Sequence, residues 1–269
     1  MAVDYLILKH CRVKEQLSTE QLLERIKNRN RVYNIRDMLA QSGKTEDEIN
    51  NFEFTHQQWT PNGPINSRHK IIDLIAEISI LDTLAPICTD CPVANKIPFG
   101  CIGAVNYPIS AKCEQWLAQI ALESYKKGEV YSTMIKFILD QKVTGKETEE
   151  ARRHGDTFFE LKHPIEIVLS KSFFSKKIIN TSQLIDMILG IRSMQYVHMN
   201  HLLMLFGGIF AEDTQPKDRP SKFHREISKY VSLGLDLPND PDQSIYNFYW
   251  LFHKMFLAFI NDTDMAFDR

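Results

Sequence analysis

The residues best equipped for chemistry are four cysteines, Cys88, Cys91, Cys101 and Cys113, in the spacing Cys-x2-Cys-x9-Cys-x11-Cys. Two residues between Cys88 and Cys91 let the backbone turn so that both thiolates face one ion, as in structural zinc sites. Pro92, Pro98, Pro108, Gly100 and Gly103 keep the following chain irregular, and the N–H groups of such a loop can turn toward sulfur. Ser110 reads as an N-cap, which puts Cys113 in the first turn of a helix, where the dipole favours thiolate over thiol. Converging thiolates would hold zinc in a structural role, or an iron–sulfur cluster for electron transfer or sensing. The spacing is neither that of a two-knuckle zinc ribbon nor that of a ferredoxin. Two other readings stand beside the metal one: cysteines buried as small apolar groups, and a redox pair at Cys88 and Cys91. A helix, rather than the strand of thioredoxin-like folds, precedes that pair.

A second set of candidates is histidine. His198 and His201 lie three apart on an apolar helix, so both can face one direction. With a carboxylate from a neighbouring helix they could bind a metal, and with His253 on the last helix they could serve an enzyme with a histidine-containing helical core. Hydrogen-bonded core histidines are the plainer reading. The aromatic run from Ile245 to Phe259 suits either a core or a pocket for a flat cofactor. Lys171, Lys176 and Lys177 precede the Ser182 cap and form either a phosphate cradle or a solvated turn. Walker loops, Gly-x-Gly-x-x-Gly, Gly-x-Ser-x-Gly and His-Glu-x-x-His are absent from the sequence, so common nucleotide, hydrolase and metalloprotease chemistries have no support.

These groups must be positioned by helices. Ser18 and Gln21, and Thr45 and Glu48, have capping-box spacing. Ile71, Leu74, Ile75, Ile78, Leu81 and Leu84 make one stripe, predicting a buried helix over 68–84 that Pro86 ends. Further helices are expected over 111–127, 131–142, 182–206, from Ser221 to Gly234, and up to Ile260. Val3–Leu8 is too brief to assign to strand or helix, 55–66 reads as a loop, and Asp262, Asp264 and Asp268 as a polar tail. The expected class is therefore mainly α: a single multi-helix globular domain over 1–269, with a minor extended element around 158–169 and an irregular cysteine-containing loop at 86–110. The polar stretch 144–156 is the one place to divide it, into a cysteine-containing part (1–143) and a helical part (157–269).

Composition narrows the function classes. With 43% hydrophobic and 25% charged residues the chain can build a core. A net charge of −2 gives no bulk attraction to nucleic acid or acidic lipid. The longest apolar runs fall short of a membrane span and no secretory leader is evident, so a cytoplasmic protein is expected. Thiols stay reduced there, which favours metal binding over structural disulfides. Cys11 remains outside the cluster. The alternative to the metal reading is a helical module for a small-molecule ligand or protein partner, with merely buried cysteines.

Overall fold

The computed structural model describes residues 2–60, 63–126, 135–136, 138–139, 141–171, 176–190, 193–206, 209–211 and 231–268. The chain folds as two compact units, one formed by Met1–Lys9 with Gly100–Arg269 and a smaller one by His10–Phe99. The first strand, β1 (Ala2–Ile7), belongs to the larger unit. The smaller unit then runs α1 (Arg12–Gln16), α2 (Thr19–Gln41), α3 (Glu46–Asn50), β2 (Glu53–Thr60), β3 (Gly63–Lys70), α4 (Ile71–Ile78) and α5 (Ile80–Leu84), ending in a 3-10 turn at Ala85–Cys88. The larger unit resumes with β4 (Ile102–Asn106), α6 (Ala111–Lys126), α7 (Lys146–Arg152), β5 (Glu166–Lys171), β6 (Lys176–Asn180) and α8 (Thr181–Leu189). It closes with β7 (Ser193–Met194), α9 (Tyr196–Leu205), β8 (Ile209–Ala211), β9 (Val231–Leu233), α10 (Gln243–Ile260) and β10 (Met265–Asp268).

In the smaller unit both capping boxes form: Ser18 Oγ accepts from Gln21 N–H and Thr45 Oγ1 from Glu48 N–H, opening α2 and α3. Ile71, Leu74 and Ile78 of α4 are buried, and α4 packs against α2. The β2–β3 hairpin pairs in register from Glu53↔Lys70 to Thr60↔Gly63.

The larger unit is organised by an antiparallel sheet in the order β4-β1-β10-β7. Leu6, Ile7, Val105, Met194 and Met265 are buried in it. Gly103 faces Tyr5 across the β1–β4 pair so closely that a Cβ there would collide with the Tyr5 ring, 2.7 Å from its Cε2. α10 packs on β4 and against α9 and α6, burying Ile245, Phe248, Leu251, Phe252 and Met255 at helical spacing. Asp242 caps this helix by accepting from Ile245 N–H at 2.9 Å. A buried ion pair ties α6 to α7. Arg152 donates to both Glu114 oxygens (2.8 and 2.5 Å), to Ser182 Oγ (3.1 Å) and to the Leu161 carbonyl (2.7 Å). Thr181 also donates to Glu114, which is fully buried, and the guanidinium lies 4.3 Å over the Phe159 ring.

The mainly-α expectation is thereby corrected: the described residues combine helices with a four-stranded sheet and three two-stranded ones. The strands escaped notice for physical reasons. β4 lies inside the proline- and glycine-rich stretch expected to be irregular, β10 inside the expected polar tail, and β7 has two residues. Such short strands are specified by their neighbours rather than by their own alternation. The expected loop at 55–66 is the hairpin arm, whose polar residues carry no period-2 signal. Arg68–Lys70 belong to β3, so α4 starts only at Ile71. The expected extended element resolves into a Phe159–Ile109 bridge and the β5–β6 pair. The expected helix over 182–206 is two helices. α8 is capped by Asn180 with Gln183, and β7 interrupts the chain before α9 to join the sheet. The helix expected over 131–142 has 131–134, 137 and 140 outside the described residues, and that from Ser221 has 221–230 outside them.

Candidate functional site

Cys88 and Cys91 belong to the smaller unit, Cys101 and Cys113 to the larger, and all of them, with Cys11, are free thiols. Among the described residues no group of three or more His, Cys, Asp or Glu side chains could hold a metal ion. The four-cysteine zinc or iron–sulfur module is therefore overturned as this protein's function. As placed, these side chains have the chemistry of thiols. Cys113 is completely buried, and burial pushes its thiol far above the ordinary range. The Asp242 and Glu114 carboxylates act in the same sense, against one hydrogen bond with Ser244. Its own N–H is engaged by Ser110 Oγ at 2.9 Å, so the helix start that was expected to favour thiolate loses to desolvation. Cys101 leads into β4, and its carbonyl accepts from Ile7 N–H at 2.9 Å as part of the sheet. Burial also raises Cys88, although Phe99 N–H donates to it.

The histidines separate into two places. His198 and His201 line a cavity of about 200 Å³, together with Gln141, Val143, Glu147, Asp186 and Leu202. His253 does not line it. That ring packs against Tyr249 and Trp250, with centroids at 4.4 and 5.5 Å. Burial and the neighbouring Lys254 lower its pKa.

Glu147 and Asp186 give this cavity its polar character, and α7 and α8 place them. Gly145 takes φ +79 and starts α7 without a side-chain cap of its own. Asp186 of α8 supplies the missing acceptor. Its Oδ1 receives Thr148 N–H (2.9 Å) and Thr148 Oγ1–H (2.6 Å), and its Oδ2 receives Glu147 N–H (3.3 Å). An ionised carboxylate offers about four lone-pair sites, so acceptor capacity remains on Oδ2. Burial raises the Asp186 pKa, the Thr148 bonds oppose that rise, and the Glu147 carboxylate adds to it. Among the described residues no cation is paired with Asp186.

A second cavity, of about 210 Å³, also carries Glu147, Asp186 and Gly190 in its wall. The rest of its lining is largely apolar: Val3, Tyr107, Phe158, Phe159, Ile185 and Leu189. Tyr107 meets Phe158 edge-on at 5.1 Å and Phe159 at 6.0 Å. The two cavities thus adjoin the same pair of acidic residues, one with imidazoles and one with aromatic rings.

No protein-family model, curated protein or solved structure matches this chain. No described helix is long and apolar enough to cross a membrane. Sequence reasoning found His198 and His201 but missed Glu147 and Asp186. Glu147 sits in a stretch that reads as solvated surface, and the available signal was Asp186, one acid inside an otherwise apolar helix.

Proposed function

We propose that this cleft binds a small organic cation bearing an apolar or aromatic group. The observation that carries the reading is the sharing of Glu147 and Asp186 by the two cavities. An ammonium held at the carboxylates would leave its apolar substituent facing Tyr107, Phe158 and Phe159, as small-ligand sites combine an apolar lining with a few polar groups. The remaining capacity of Asp186 Oδ2 supports a charge-assisted contact. The free state of all five cysteines supports a reducing compartment, so the cytoplasm is the proposed location.

Phenethylamine and phenylacetate test the reading, since they share a ring and differ in the sign of the charge. Phenethylamine should raise the melting temperature saturably, by the linkage of binding to folding. Phenylacetate should not, and Asp186→Asn should lose the response. Equal stabilisation by both compounds, or an undiminished response in the variant, would sink the proposal.

A further inference from the structure

The smaller unit gathers three of the protein's five cysteines. The 3-10 turn that follows α5 ends at Cys88, and Cys91 N–H donates to the Cys88 carbonyl at 3.1 Å. A four-residue turn closed in this way keeps its terminal Cα atoms within about 7 Å. A disulfide spans about 4.4–6.8 Å between Cα atoms, so the turn brings the two backbones close to the separation that such a bond needs. Cys88 is 5% exposed, whereas Cys91 is half-buried and open to reagents. Cys11 stands at the N-cap of α1, which packs on the same turn, and lies within electrostatic reach of Cys88.

We propose that Cys88 and Cys91 are a dithiol site that exchanges with small-molecule disulfides, cycling between two thiols and one intrachain disulfide. The Cys91 thiol loses its proton, and the thiolate attacks one sulfur of the small disulfide. The sulfur–sulfur bond breaks, one small thiolate leaves and takes up a proton, and Cys91 carries the other half as a mixed disulfide. Cys88 then loses its proton, its sulfur attacks Cys91 Sγ, and the second small thiolate leaves and is protonated. Two protein thiols have lost two electrons and two protons, and one small disulfide has become two thiols. Access fixes the order of events. Cys91 can be reached from solvent, while Cys88 is buried and its pKa is raised, which leaves it to act second. The Phe99 N–H that donates to Cys88 would also steady its developing thiolate during the second step.

The test uses the reduced full chain and oxidised glutathione, followed by alkylation, thiol counting and peptide mapping. Wild type should lose two of its five thiols, with Cys88 joined to Cys91 and the far-ultraviolet circular dichroism unchanged. Cys88→Ser should stop with one glutathione on Cys91, and Cys11→Ser should give the wild-type product. Retention of all five thiols in excess oxidant would overturn the proposal, and so would a bond that maps to Cys11. The wild-type map decides the matter even where a variant fails to fold.

Discussion

Removing either partner of the Glu114–Arg152 pair should be among the most damaging single changes in the larger unit. Both side chains are buried, Glu114 completely, and they share two charge-assisted hydrogen bonds of 2.8 and 2.5 Å. Arg152→Met would leave a buried carboxylate with Thr181 as its remaining hydrogen-bond donor. Glu114→Gln would leave a buried guanidinium facing the neutral acceptors of Ser182 and Leu161. Breaking such a pair costs about 3–5 kcal/mol, because an uncompensated charge stays out of water, whereas removing both charges is often nearly neutral. The double variant should therefore cost less than either single one, a coupling of at least ~3 kcal/mol. Urea unfolding followed by circular dichroism reads this directly. With an m-value of about 3 kcal/mol/M, each single variant should move the midpoint down by about 1–2 M. Amide exchange over 111–126 would assign the loss to α6. Single variants within about 1 kcal/mol of wild type, or costs that simply add, would refute the claim that burial and pairing act together here.

Three further outcomes follow from the geometry. Gly103→Val should cost about 1–3 kcal/mol or more by overpacking against Tyr5, with part of that recovered when Tyr5→Ala is added; thermal melts of both variants measure it, and an unchanged melting temperature in Gly103→Val would contradict the packing. Asp186 has a raised folded-state pKa, so its contribution to stability is present below the ordinary carboxylate range and is lost as pH rises through the folded value. The stability difference between wild type and Asp186→Asn should accordingly decline from pH ~4 upward and then level off, and a difference independent of pH would disprove the assignment. EDTA should leave the melting temperature unchanged, because no described side-chain group is arranged to hold a metal; a fall on chelation alone would reverse that conclusion.

The helix signals that could be read from the chain are those written in local chemistry. Ser18 with Gln21, Thr45 with Glu48, and the aromatic helix that runs to Ile260 each concern residues within a turn or two of one another, and each forms, with Ile245, Phe248 and Phe252 buried and Tyr249, Phe256 and Phe259 half-buried. What stayed illegible depends on partners far along the chain. Gly103 is an ordinary loop glycine until β1 comes to lie beside it, and Met265–Asp268 is a tail until it pairs with β1 and β7. Arg152 belongs to the most polar stretch of the sequence, yet Glu114 and Phe159 make it a core residue. The cysteines misled for a related reason. Their spacing promised thiolates, but the strand and the helix that follow buried Cys101 and Cys113, and at Cys113 burial and the nearby carboxylates disfavour the charge.

The same dependence joins the proposed cleft to the fold. α7 has seven residues and no cap of its own, too short to persist alone given the cost of nucleating a helix. It is held from both ends by bonds that reach α8. Asp186 accepts at its first turn, and Arg152 at its last turn donates to Ser182 and to the Glu114 that Thr181 also engages. One carboxylate therefore serves as both cap and cleft wall, and its two oxygens divide the work. Both Thr148 bonds fall on Oδ1, so a cation on Oδ2 would leave them in place. Asp186→Asn can keep an oxygen toward Thr148 while putting an NH₂ where Oδ2 was, at the loss of the longer Glu147 N–H bond. It should abolish the response to phenethylamine at a smaller cost in stability than Asp186→Ala, which deletes both roles. If the two variants lost stability equally, the capping role of Oδ1 would have to be abandoned, and with it the account of how the cleft keeps its shape.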